Sequence, residues 1–316
     1  MQVIIDKGIP FFEGIFPPEI EVLHLSPEEI TSPSVRNADA LIVRTRTCIN
    51  RDLLQGSRVR FVATATIGFD HIDQDYCREA GIHWVSCPGC DAQAVCDYVH
   101  DAISSMKSGK TDLTVGIIGY GHVGKLVAKM AQRRGYRVLL SDPPLGIGVS
   151  LEELAPQCDV LTFHTPLTHS GPHPTFHLCN THILSLCKPD ALIINAARGG
   201  VIDEQALIAQ LSAVNCQLST AIDCWENEPH LNQQLLQLAN LASFHIAGYS
   251  IVGKMRASEM CLEAFCKFFS LPILSINKKV VPLQGDADSG WLQRIYDQLK
   301  ASPEQFEQLR KQYKLR

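Results

Sequence analysis

Residues 113–142 read LTVGIIGYGHVGKLVAKMAQRRGYRVLLSD. An apolar run rich in β-branched residues enters Gly119-x-Gly121-x-x-Gly124, a helical pattern follows at once, and a second apolar run closes at Asp142. In this context each glycine has a physical task. Gly119 makes the tight turn, Gly121 lets a diphosphate approach the backbone, and Gly124 lets the helix pack close to the strand. The helix start offers free N–H groups and the positive end of the helix dipole to phosphate oxygens. Asp142 ends the second strand, where a carboxylate can take the adenosine ribose hydroxyls. Pro143 and Pro144 come next, with no Arg or Lys to meet a 2′-phosphate. The stretch is a dinucleotide site that favours NAD over NADP.

Working outward, short β-branched runs alternate with helical patterns along the chain, the signature of parallel sheets with crossover helices. Strands are expected near 2–5, 21–25, 39–44, 59–64 and 82–85, then near 113–118, 136–141, 159–163, 191–195, 217–222 and 241–245. A helix is expected after Ser26, with Pro27 at its first position and Glu29 closing a capping box. A long helix over 91–108 leaves the first series and ends in the hinge-like KSGK of 107–110. A helix over 253–269 returns to it, and Ser302-Pro303 opens another in the tail. The expected architecture is α/β with two doubly wound parallel sheets. A Rossmann NAD domain (93–256) is inserted into a flavodoxin-like substrate-binding lid domain (1–92 and 257–316), the latter ending in a short C-terminal extension.

A chain of 316 residues with 46% hydrophobic and 19% charged residues has the composition of an ordinary globular protein with room for two cores. A net charge of -5 gives no general attraction to nucleic acid or to anionic membranes. Asp6 and Glu13 occupy the start, where an export signal needs a basic and then an apolar stretch. The twelve cysteines are scattered, and the expectation is that they are reduced, in a cytoplasmic protein. Cys87-Pro88-Gly89-Cys90 has redox or zinc spacing, but no second pair completes a zinc site. It reads as a tight turn, and no metal is expected.

Three strands end in groups suited to a polar substrate. The run IINAARGGVID presents Arg198, after Ala196 and Ala197; AIDCWENEP presents Asp223 and Glu228; SFHIAGYS presents His245. Carboxyl ends of parallel strands are where open α/β sheets bind ligands. Arginine offers a planar fork for a carboxylate, and a glutamate beside a histidine suits the ring to proton transfer near neutral pH. A lone histidine on an apolar run is more often a core residue. Three such groups after a dinucleotide loop are hard to explain that way.

NAARGGVID, DCWENEP and HIAG together resemble the D-isomer-specific 2-hydroxyacid dehydrogenases. ADALIVRTRT, FVATATIGFDHID, CPGC, LTFHTPLTHSGPHPTFHL and HIAGYSIVGKMRA extend the resemblance over nearly the whole chain, toward members that act on a phosphorylated hydroxy acid. The resemblance implies an NAD-dependent dehydrogenase, with Arg198 and Glu228 catalytic and His245 the proton donor and acceptor. It implies NAD contacts from His122, Val123, Asp142, Thr165, Asp223 and Gly248, and substrate contacts from Thr45, Thr66 and Tyr249. A homodimer is also implied, although the tail after residue 269 is shorter than the dimerisation region of well-known members. Arg44, Arg46, Lys254 and Arg256 are candidates to meet the phosphate, the alternative being ordinary surface charge. Two alternatives stay open: a dehydrogenase of another 2-hydroxy acid such as phosphoglycerate or glycerate, and an NAD(H)-sensing binding protein on the same fold.

Overall fold

The computed structural model describes residues 1–276 and 290–313. The described residues divide into two compact units, 1–91 with 250–276 and 92–249 with 290–313. The chain therefore crosses between units next to the helix Ala92–Met106 and again just after Tyr249.

In the first unit β1 (Gln2–Asp6), β2 (Glu21–Leu25), β3 (Ala40–Val43), β4 (Phe61–Thr64) and β5 (His83–Val85) form one sheet in the order β2-β1-β3-β4-β5. Every pairing is parallel. This is the flavodoxin-like order the sequence predicts. All residues of β3 and β4 are buried, which explains their unbroken apolar character: helices cover both faces. The helix Ile251–Phe268 packs against β4. There Phe61 is ringed by Phe265, Phe268 and Phe269 with centroids 5.2 to 6.1 Å away.

The second unit holds β6 (Thr114–Ile118), β7 (Arg137–Asp142), β8 (Ile147–Gly148), β9 (Val160–Phe163), β10 (Leu192–Asn195), β11 (Ser219–Ile222) and β12 (Leu241–Ala242), ordered β12-β11-β10-β9-β6-β7-β8. The order reverses between β6 and β9, the switch point where doubly wound sheets bind ligands. Asn195 is in register with Ile222, and Ile222 with Ala242. The segments after β10, β11 and β12 thus leave the same sheet edge side by side.

Three features depart from the sequence reading. No helix follows Ser26; residues 27–29 are a turn and the first helix is Ser32–Val35. The Glu29 carboxylate does accept the Ser26 N–H at 2.7 Å, but Pro33 allows too few residues to close a helix before the chain starts again at Thr31. A short antiparallel strand, β8, extends the sheet edge. It is carried by glycines at 146 and 148 with φ 64° and 82°, and two residues are too few to leave a pattern.

The third departure concerns the tail, which sequence reading placed with the lid domain as part of 257–316. Helices Trp291–Ala301 and Phe306–Gln312 pack instead on the second unit. Trp291, Leu292, Ile295, Tyr296, Leu299 and Phe306 join the core around β6 to β12. The Tyr296 hydroxyl donates to the carbonyls of Leu236 and Ala239 at 3.1 and 2.7 Å. The physical reason is amphipathicity: this apolar face matches an uncovered flank at β12. Leu299 is fully buried there, so Leu299→Ala is expected to cost about 2–5 kcal/mol in denaturant unfolding of the second unit. A loss under about 0.5 kcal/mol would mean the tail is not part of that core.

Candidate active site

The glycine loop opens at the tip of β6, and its three glycines meet three different surroundings. Gly119 has φ 92°, and a Cβ there would lie 2.7 Å from the His164 carbonyl oxygen. A Cβ on Gly124 would lie 2.0 Å from the Gly119 carbonyl oxygen, whereas one on Gly121 would meet nothing within 4 Å. Turn, close packing and open approach fall on the residues to which the sequence assigned them. Gly121 caps the helix His122–Arg133, which His122 and Val123 begin.

Asp142, at the end of β7, accepts the Tyr120 N–H at 2.6 Å and the Leu145 N–H at 3.2 Å. Its carboxylate is therefore tied to the glycine loop. Across the switch point, Thr165 follows β9 and its methyl lies close to Gly119. Thr165 Oγ1 and His164 Nδ1 are buried with no hydrogen-bond partner among the described residues. Burial alone drives the His164 pKa down to about 3, so this ring is neutral. A cradle with an open Gly121 and orphaned polar atoms beside Gly119 fits a bound dinucleotide.

At the tips of β10, β11 and β12 the strand-end groups form one connected structure. Ala196 and Ala197, both buried, lead to Arg198, whose Nη1 donates to the Ala197 carbonyl at 2.8 Å. The buried Asn195 amide braces the loop, donating to the carbonyls of Arg198 at 3.0 Å and Cys224 at 3.3 Å. A Cβ on Gly199 would lie 1.8 Å from the Trp225 carbonyl oxygen; only glycine lets the arginine loop press on the next strand's loop.

Glu228 bridges that loop to the histidine. Its Oε1 accepts the Trp225 N–H at 2.9 Å, and its Oε2 lies 2.8 Å from His245 Nδ1. The His245 side chain is 28% exposed, which rules out a sealed core histidine. Burial works against its charged form, but the Cys224 sulfur and the Glu228 carboxylate raise its pKa well above the usual imidazole value. Burial likewise opposes the Glu228 charge, and the His245 contact holds it below the ordinary carboxylate value. The pair is poised to carry a proton on the imidazole ring.

Asp223, expected to contact the cofactor, is almost fully buried. It accepts the Ser243 hydroxyl at 2.7 Å and the N–H groups of Ile246 and Ala247 at 2.8 and 2.9 Å. Those bonds bend the chain around His245, which has φ 57°, and place Gly248 and Tyr249 after it. Sequence reasoning missed the bracing role of Asn195 and the thiol of Cys224 beside His245, because neither follows from a residue's immediate neighbours.

In the first unit Thr45 is exposed just past β3. Thr66, past β4, shares a 2.7 Å hydrogen bond with Thr64 and donates to the Gly68 carbonyl. Arg44 makes a bidentate pair with the buried Asp6 at 3.0 and 3.1 Å, and Arg46 lies 3.5 Å from Glu28. Cys87 and Cys90 are buried in a turn closed by Cys90 N–H to the Cys87 carbonyl, and all twelve cysteines are free.

Fold and site together define a 2-hydroxyacid dehydrogenase of the NAD-dependent kind. Residues 97–247 match the family described as D-isomer specific 2-hydroxyacid dehydrogenase, NAD binding domain. The chain is 40% identical to the erythronate-4-phosphate dehydrogenase of Bacteroides thetaiotaomicron, over 100% of this chain and 97% of that one. It is 38% identical to the enzyme of the same name from Cronobacter sakazakii, over 100% and 92%. Among solved structures, the TT0316 protein of Thermus thermophilus superposes with TM-score 0.72 at 25% identity, over 86% of this chain and 98% of that one. The NAD+-bound 3-phosphoglycerate dehydrogenase of Entamoeba histolytica shares the fold with TM-score 0.72 at 24% identity, over 85% and 95%. The chain belongs to the erythronate-4-phosphate dehydrogenases, within the D-isomer specific 2-hydroxyacid dehydrogenase family.

One neighbouring group gives the site a pH signature. Glu204 and Glu226 cap each other's N–H groups at 2.9 Å, and Glu226 also meets His177 at 3.0 Å. Burial raises the Glu204 pKa from 4.5 to about 7. The folded state therefore binds more protons than the unfolded one between those values, and stability falls as pH rises through that window. Glu204→Gln is expected to flatten the fall, raising Tm at pH 8 by about 2–4 °C relative to the parent. Parallel Tm profiles would show that Glu204 titrates normally.

Proposed function

We propose that this chain oxidises 4-phospho-D-erythronate to 2-oxo-3-hydroxy-4-phosphobutanoate with NAD, a step in the synthesis of pyridoxal 5′-phosphate (vitamin B6). The observation that carries this reading is the 2.8 Å pair of Glu228 and His245, on the same sheet as the glycine loop. Gly119, Gly121, His122, Val123, Gly124, Asp142 and Thr165, with Ala196, Ala197, Asp223 and Gly248 at the neighbouring tips, would hold NAD, which would supply the hydride acceptor. Arg198 binds the substrate carboxylate through its planar fork and polarises the C2 oxygen. His245 takes the C2 hydroxyl proton as the hydride leaves C2, and Glu228 stabilises the resulting imidazolium. Thr45, Thr66 and Tyr249 contact the substrate.

Free cysteines throughout support a reducing compartment, and the cytoplasm is the location this reading carries. Among the described residues no helix is long and apolar enough to cross a membrane. The assembly proposed is a homodimer, which light scattering tests directly.

The deciding assay is NADH formation with 4-phospho-D-erythronate, with phosphoglycerate and with unphosphorylated erythronate. The first should exceed both others by about 100-fold or more in kcat/KM. Equal rates would assign another hydroxy acid, and no turnover with any would favour an NAD(H)-sensing role. His245→Ala is expected to lower kcat by about 10³-fold while leaving NAD affinity intact, and Arg198→Lys should lose about 10²-fold in kcat/KM. Near-parental rates in either variant would remove that residue from the mechanism.

A further inference from the structure

The helix Phe306–Gln312 lies against the segment that carries the catalytic histidine. Phe306 is fully buried. Tyr313, just beyond the helix, meets Phe244 edge to face with ring centroids 6.1 Å apart. One turn earlier, the Arg310 guanidinium lies 5.3 Å from the centroid of the Tyr249 ring. The tail thus grips the segment on both sides of His245. Arg310 Nε is buried and has no hydrogen-bond partner among the described residues, while its Nη1 is 3.6 Å from Glu307 on the same helix. Burial opposes the guanidinium charge, but Tyr249 and then Glu228, with Glu307 and Asp223, hold its pKa above the usual range.

We propose that Arg310 is a positioning residue of the active site, a cation that the C-terminal helix lays on Tyr249 beside the Glu228–His245 pair. The flat guanidinium covers the ring face, which fixes the tyrosine that follows the histidine loop. Its charge also bears on the proton carrier. Glu228 stabilises the imidazolium, and a nearby cation offsets part of that effect. Removing the cation therefore raises the pH at which His245 becomes a base. The charged and titratable groups facing Arg310 are Glu307 from its own helix, Tyr249 from the segment after β12, and Glu228 and Asp223 from the segment after β11. The inference rests on the reading that His245 and Glu228 move the substrate proton.

The test compares the full-length chain with Arg310→Met, Arg310→Lys and Tyr313→Ala in NAD-dependent oxidation of 4-phospho-D-erythronate across pH. Tm and NAD affinity are measured alongside. Turnover by the parent chain establishes the reading of the site independently of any variant. Arg310→Met is expected to keep NAD affinity, lose about tenfold or more in kcat/KM, and shift the acid limb of the pH–rate profile upward. Arg310→Lys should return the limb toward the parental position without restoring the full rate, since it keeps the charge and loses the flat stacking surface. Tyr313→Ala should lower Tm and leave the limb in place. An Arg310→Met rate within about twofold of parental, with an unmoved limb, overturns the proposal. So does an equal loss in all three variants with an unmoved limb, which would make Arg310 a packing residue only. Should Arg310→Met fail to fold, the limb in Arg310→Lys decides: a position near parental with a reduced rate supports the proposal, and a fully parental rate overturns it.

Discussion

The buried carboxylate of Asp223 holds the structure on which the chemistry depends. It accepts a hydroxyl from Ser243 and two N–H groups just past His245. A carboxylate accepting several hydrogen bonds in a dry setting is rigid, because losing any one leaves a buried polar group unsatisfied. That rigidity holds His245 at φ 57°, a conformation a β-carbon disfavours and which persists only when its surroundings over-determine it. The ring can then face Glu228 while keeping part of its edge exposed.

The same network joins elements far apart in sequence. Tyr98, on the helix that starts the second unit, shares a 2.9 Å hydrogen bond with Ser243, and the Trp225 indole donates to the Ser243 carbonyl. Asn195 ties the arginine loop to Cys224, and Gly199 lets that loop press on Trp225. Glutamate and histidine are therefore joined directly at 2.8 Å, while the arginine loop is fixed relative to them by backbone contacts. This is the kind of preorganisation that lets fixed dipoles and charges act on a transition state without reorganising.

Much of this was legible in the sequence, for identifiable reasons. Glycine spacing in 119–124 records local steric demands, and each demand was found at its residue. Two strand tips could be placed because buried parallel strands are continuous apolar runs that end at Asn195 and Ile222, whereas β12 stops at Ala242, short of the strand expected over 241–245. The role of Asp223 was less legible: its position suggested a ligand contact, while the structure gives its oxygens to the backbone beyond β12. The tail misled for a related reason. Its amphipathic pattern shows that Leu299 and Phe306 must be covered, but a pattern carries no address, and the matching surface lies at β12. Arg310 was invisible as a site residue for the same cause, since its neighbours Tyr249 and Glu228 are 61 and 82 positions earlier in the chain.

The central claim is that the Glu228 carboxylate keeps His245 ready to accept and release a proton. NMR titration of the His245 ring in the parent chain and in Glu228→Gln measures it directly. A ring pKa above the ordinary value of about 6.5 in the parent, falling when the carboxylate is replaced, is the result predicted. A ring that titrates at or below that value in the parent, and does not respond to the substitution, would contradict the account.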